Sequence, residues 1–227
     1  IFAGPKRNPI NGHRYVLLEN GNWFESQKTA KAMGGHLVTI NDAKENRWIL
    51  DTFGRVGNGN KALWIGLYYS ESKNRFVWDN GEKVGFTNWG RNQPSGVRET
   101  HVHMRNSPRF PQQAGDWNDL RGARKQAPLP LHGVVELPPL RERVASLLKT
   151  AKANDSKADG KTALSALDEL LRLAPDHREA KRLREKIAAY YVPPTATFPI
   201  TAAQAKAVQK ATADYYNQSV TINNSIG

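Results

Sequence analysis

The chain has no cysteine, so structural disulfides, thiolate metal sites and cysteine nucleophiles are excluded together. No apolar run approaches the roughly 20 residues that a membrane-spanning helix needs. The first nine residues lack the charged, apolar and small-residue zones of a secretory signal. Glycine-rich phosphate loops and Ser-His-Asp arrangements of recognised spacing are missing too, which leaves no catalytic reading. Acidic residues are in the minority: 21 Asp and Glu stand against 33 Lys and Arg, a net charge of +12. Such a surplus serves solubility first and attraction to anionic partners second. No reader motif accompanies it, and nucleic-acid binding is not expected.

What is present changes character near Leu137-Pro138-Pro139. All six tryptophans lie before that point, and Ala/Leu/Lys/Glu-rich helical text follows it. A second break falls at Pro193-Pro194, which cannot continue a helix. The division expected is 8–137, a mixed α/β domain; 138–192, a helical segment; and 193–227, a linker and helix. The chain opens on Ile1 and stops at Gly227 in mid-pattern, which reads as a piece of something longer.

In the first part, His13 to Leu18 reads as a strand. Asn22 with Glu25 three residues on is a capping-box pattern, and Gly34-Gly35 ends that helix. Leu37 to Ile40 reads as a β run. Asn41 is expected to cap a second helix carrying Trp48, Ile49 and Phe53 and ending at Gly54. Leu63 to Leu67 and Arg75 to Trp78 are strands, with a turn at Asp79-Asn80-Gly81. The stretch from Gly90 to Pro130 is long and weakly periodic, as functional loops are, and His132 to Leu137 closes with a strand. Farther on, Val144, Leu147, Leu148 and Ala151 recur at helical spacing, as do Leu164, Leu167 and Leu171. Asp176 with Glu179 marks another helix start.

The order of landmarks is distinctive: Trp23 and Glu25, Gly34-Gly35-His36-Leu37, Trp64-Ile65-Gly66-Leu67, Trp78-Asp79-Asn80-Gly81, Gln93-Pro94-Ser95, Glu99, Gly115-Asp116-Trp117-Asn118-Asp119 and Val134-Val135-Glu136. This order and spacing resembles the C-type lectin domain family over about 130 residues. The resemblance implies an α+β fold of two helices, small antiparallel sheets and a long loop region, here with an α-helical C-terminal extension. It also implies a recognition module and not an enzyme. Many members close the fold with two disulfides, and the matching positions here are Ala30 with Val135 and His101 with Gly122. Packing must then replace the bridges, with Trp64, Trp78 and Trp89 as structural residues.

Family members that bind sugar do so through calcium. Carried over residue by residue, the resemblance points to Gln93, Ser95, Glu99, Asn118 and Asp119 as ligand-binding residues. The metal set would be Gln93, Glu99, Asn118 and Asp119, since carboxylates and amide oxygens suit calcium. Ser95 departs from the expected Asn or Asp. A hydroxyl is a poorer ligand, and two carboxylates remain where three are usual. Arg91, Arg98, Arg105, Arg109, Arg121, Arg124 and Lys125 crowd the same stretch. They favour acidic or sulfated glycans, with Arg91 and Arg98 nearest the triplet. His101 and His103 alternate, but no third zinc ligand is evident.

Two functions stay open on the residues. One is a carbohydrate-binding module, calcium-assisted or not. The other is a calcium-independent module that binds an acidic protein surface as the targeting arm of a larger bacterial protein. Ala163 to Tyr190 resembles a tetratricopeptide-type hairpin. The last eight residues resemble the lead-in to formylglycine-generating, sulfatase-modifying type domains. An extracytoplasmic or cell-surface location is expected, and no oligomeric state is implied.

Overall fold

The computed structural model describes residues 1–191 other than 58, 97, 107–113, 128 and 156–158. The linker and helix expected over 193–227, the terminal octet and Arg109 lie outside the described residues. The chain divides into two compact units, Ile1–Leu140 and Arg141–Gly227.

In the first unit, β1 (Ala3–Arg7) pairs antiparallel with β2 (Arg14–Asn20). Helix α1 (Trp23–Ala32) follows, and Asn22 and Glu25 close a full capping box at its start. The two glycines that end it do different work. Gly34 takes φ +77°, a left-handed turn that an L side chain resists. At Gly35 a Cβ would stand 2.1 Å from the Glu136 carbonyl oxygen, so the requirement there is close approach. Strand β3 is only His36–Leu37. The Val38 N–H still reaches Val134 O, but the β run expected on to Ile40 stops early because the next polar groups leave that partner's backbone: the Val38 carbonyl accepts the Gly66 N–H, and the Thr39 N–H donates to the Glu136 side chain at Oε2.

Helix α2 (Ala43–Phe53) is capped by Asp42 and not by Asn41. Glu45 is the reason. It stands at the N3 position relative to Asp42, whose side chain accepts the Glu45 N–H, while the Asn41 N–H donates back to Glu45 Oε2. Strands β4 (Ala62–Ser70) and β5 (Arg75–Trp78) form a hairpin. The weakly periodic stretch then yields β6 (His101–Met104), β7 (Trp117–Leu120) and β8 (Gln126–Ala127), before β9 (Leu129–Leu137) returns to the centre. The strand order is β1-β2-β9-β4-β6-β7. Most pairs are antiparallel, but β4 and β9 run parallel through Ala62↔Leu131 and Trp64↔Gly133. That pairing joins the small sheets into one continuous surface.

The core holds Trp64, Trp78 and Trp117 together with Tyr15, Phe53, Ile40, Ile49, Leu63 and Ile65. Three buried indole N–H groups find acceptors, while Trp78 Nε1 is buried with no hydrogen-bond partner among the described residues. Trp23 donates to Ile65 O, Trp64 to Gly21 O and Trp117 to Asn46 Oδ1. Packing also occupies the positions that the resemblance linked to disulfides. Ala30 and Val135 are fully buried in one cluster with Val16, Leu18 and Leu137. The His101 ring lies against Gly122, where a Cβ would be 2.7 Å from His101 Nδ1.

The second unit contains α3 (Leu140–Asp155) from its second residue on, α4 (Gly160–Leu173) and α5 (Arg178–Tyr190). Leu147, Ala151, Ala163, Leu167, Leu170, Ala180 and Ile187 form its core. Helix α5 is capped by His177, whose ring accepts the Ala180 N–H, and not by the expected Asp176, which is exposed one residue earlier.

Candidate functional site

The long loop is fastened to β7 by backbone bonds. Gly90 N–H donates to Trp117 O, Trp117 N–H to Asn88 O, and Gln93 N–H back to Gly90 O. Asn92 and Gly96 take positive φ, and the Gln93–Pro94 bond is cis. Neighbouring residues of a strand face opposite sides. On β7, Asp119 is therefore fully buried while Asn118 is half-buried.

Three of the sequence-expected residues meet. The Ser95 N–H donates to Asp119 Oδ1 at 2.8 Å and the Gly96 N–H to Asp119 Oδ2 at 3.1 Å. The Ser95 hydroxyl stands between two carboxylates, 2.9 Å from Glu99 Oε2 and 3.2 Å from Asp119 Oδ1. The other two are set differently. Asn118 turns its amide N–H groups to His103 Nε2 and to the Asp119 carbonyl. Gln93 Oε1 is buried with no hydrogen-bond partner.

This donor set does not fit a resident calcium ion with a full shell of roughly 6–8 oxygens. Both Asp119 oxygens face N–H dipoles, which repel a cation. A single hydroxyl proton lies between the two carboxylates that calcium would otherwise bridge. Among the described residues, no group of three or more His, Asp or Glu could hold a metal ion.

Beside the loop lies a cleft of about 420 Å³ lined by Tyr69, Glu71, Phe76, Pro94, Gly96, Glu99 and Thr100. That size falls within the range of small-ligand sites, roughly 300–1,000 Å³. The β4–β5 hairpin supplies one wall, where Tyr69 and Phe76 meet edge to face at 5.5 Å. The loop supplies the other. The Tyr69 N–H donates to Thr100 O at 2.7 Å and fixes the two walls together. Tyr69, Glu71 and Thr100 escaped the sequence reading, and Phe76 entered it only within the strand Arg75 to Trp78. The Tyr68-Tyr69 pair ending a strand two residues before an acidic residue was the available signal.

Among the described members of the arginine cluster, two basic groups are already paired. Arg105 is bound to Asp116 at 3.1 Å beneath Gly90, and Lys125 to Glu25 at 3.0 Å. Arg91 and Arg98 are exposed and are not among the residues that line the cleft. His101 and His103 are held neutral, each lowered to about 4 by burial. Among the described residues, no helix is long and apolar enough to cross a membrane.

Two helices, a sheet joined around β9 and a tethered long loop define a lectin-type recognition module. A family model described as the Lectin C-type domain matches residues 19–127. An alpha-N-acetylgalactosamine-specific lectin of Patiria pectinifera is 31% identical over 123 residues, spanning 50% of this chain and 70% of that protein. A perlucin-like protein of Mytilus galloprovincialis is 29% identical over 120 residues, 52% of this chain and 73% of that one. The human C-type mannose receptor 2 is 32% identical over 101 residues, but these are 44% of this chain and only 7% of the receptor. Human lithostathine, a solved structure, aligns over 57% of this chain and 86% of its own at 22% identity and TM-score 0.48. The chain belongs to the C-type lectin domain family, and its first unit is a binding module and not an enzyme.

Proposed function

We propose that the first unit recognises carbohydrate in the cleft between the β4–β5 hairpin and the long loop. The observation that carries this reading is one concavity that joins Tyr69 and Phe76 to the carboxylates of Glu71 and Glu99. Aromatic faces take the C–H face of a sugar ring, and carboxylates accept its hydroxyl protons. The names of the relatives, several of them lectins, support the same class of ligand. Calcium has no step in this reading, since the Ser95 hydroxyl and two backbone N–H groups already engage both Asp119 oxygens and one of Glu99. A preference for acidic or sulfated glycans is set aside, because the cleft lining is acidic and Arg105 and Lys125 are already paired.

Receptors among the relatives accord with an extracytoplasmic place for the module. We take the helical unit, with its tetratricopeptide-like α4–α5 pair, as a spacer to further parts of a larger protein. The test is a glycan array on the full chain with calcium and with chelator, repeated with Tyr69→Ala. Sugar binding that survives chelation and falls about tenfold or more in the variant is expected, given what a stacked aromatic contributes. Binding only with calcium, or to no glycan at all, defeats the proposal.

A further inference from the structure

The charges around the cleft do not balance. Glu71 and Glu99 both line it, and neither forms an ion pair among the described residues. Glu99 accepts one hydrogen bond, from the neutral Ser95 hydroxyl. This happens in a protein with twelve more basic than acidic residues. The nearest arginines in sequence, Arg75 and Arg98, are exposed and do not line the cleft. Lys73 and Arg91 are likewise exposed and do not line it, while Arg105 is held by Asp116 and Lys125 by Glu25. The long-range field is positive, but it is screened within about 8 Å at physiological salt. Inside the cleft the local carboxylates decide.

We propose that the cleft selects a saccharide bearing a protonated amine. This rests on the carbohydrate reading above and narrows it. An ammonium on a sugar ring carries three N–H donors, and Glu71 and Glu99 offer oxygens with no basic partner to displace. The rings of Tyr69 and Phe76 on the same wall add the attraction of an aromatic face for a cation. An N-acetylated sugar of equal size keeps the stacking but loses the charge. A sulfated or carboxylated sugar meets two like charges.

The experiment titrates the full chain with an oligomer of β-linked glucosamine at mildly acidic pH, with its fully N-acetylated counterpart, and with a sulfated oligosaccharide of the same length. The amine form is expected to bind about tenfold more tightly than the acetylated form, the scale of a charge-assisted contact. The advantage should shrink as salt rises, and Glu71→Gln should narrow it. Glu71 is exposed and its side chain has no hydrogen-bond partner among the described residues, so that variant keeps the fold, which its melting temperature checks. Equal or tighter binding of the acetylated or sulfated oligomer overturns this inference and leaves the carbohydrate reading standing. Binding of none of the three overturns both.

Discussion

Ser95 grips Asp119 with both its backbone and its side chain: its N–H lies 2.8 Å and its hydroxyl 3.2 Å from the same carboxylate oxygen. Gly96 takes the other oxygen, so a buried carboxylate serves as the clasp of the long loop. Asp119→Ala strands two backbone N–H groups and should cost about 2–5 kcal/mol. Ser95→Ala leaves both backbone bonds and should cost about 1 kcal/mol. Denaturant unfolding of the two variants checks the order. An Ser95→Ala loss as large as that of Asp119→Ala would mean the hydroxyl, and not the carboxylate, is the clasp.

The same clasp makes a forecast about calcium. A site filled at 100 times its Kd would add about 2.7 kcal/mol to stability, several degrees in melting temperature for a domain of this size. Melting curves with about 1 mM calcium, in the extracellular range, and with chelator should superimpose. A rise of about 4 °C or more in calcium would show that the ion displaces the Ser95 hydroxyl and the loop N–H groups.

Much of this was legible in the sequence, and the exceptions share a cause. Local chemistry gave α1, because Asn22, Glu25 and the glycine pair act within a few residues of one another. It misplaced the cap of α2, because Asn41 and Asp42 are equally suited and only the reach of Glu45 decides. Strand β1 was invisible: its Ala3–Arg7 text is basic and contains a proline, and its partner Leu17 is more than ten residues away. The convergence of Ser95, Glu99 and Asp119 was expected from their order along the chain. Their bonding to one another was not, since a ligand list carries no information on whether donors point at oxygens first. The cleft was missed because its two walls, Tyr69 to Phe76 and Pro94 to Thr100, belong to segments that no local pattern joins.

Acid should loosen the fold by a route separate from the loop. His103 is buried and lowered to about 4, and His101 is lowered to about 4 as well. In the unfolded chain both titrate near 6.5. The folded state therefore binds fewer protons between those values, and the stability present above about pH 6.5 is lost as pH falls towards 4. For His103 the loss is on the order of 2–3 kcal/mol. Glu45, raised by burial, works in the opposite sense at lower pH, so the useful quantity is a difference between proteins. His103→Gln should flatten the decline in melting temperature between pH 6.5 and 4. An unchanged slope would place the acid sensitivity elsewhere.

His101 and Gly122 invite a double substitution. Gly122 lies under the imidazole, and an added Cβ would stand 2.7–2.9 Å from three ring atoms. The ring cannot yield easily, for it packs on Trp23 at 4.5 Å, on Phe24 at 4.7 Å and on Tyr68. Its φ lies outside the left-handed region, so the glycine is needed for space and not for backbone freedom. Gly122→Ala should therefore cost about 1–3 kcal/mol, the scale of overpacking. His101→Ala alone should also destabilise, by removing an aromatic from the cluster. With the ring already gone, the extra methyl has room, and Gly122→Ala added to His101→Ala should cost about 0.5 kcal/mol or less. A coupling of 1 kcal/mol or more between the two sites is the expected result of the cycle. Strict additivity would mean that the glycine answers to something other than His101, and that packing has not taken the place of a covalent link here.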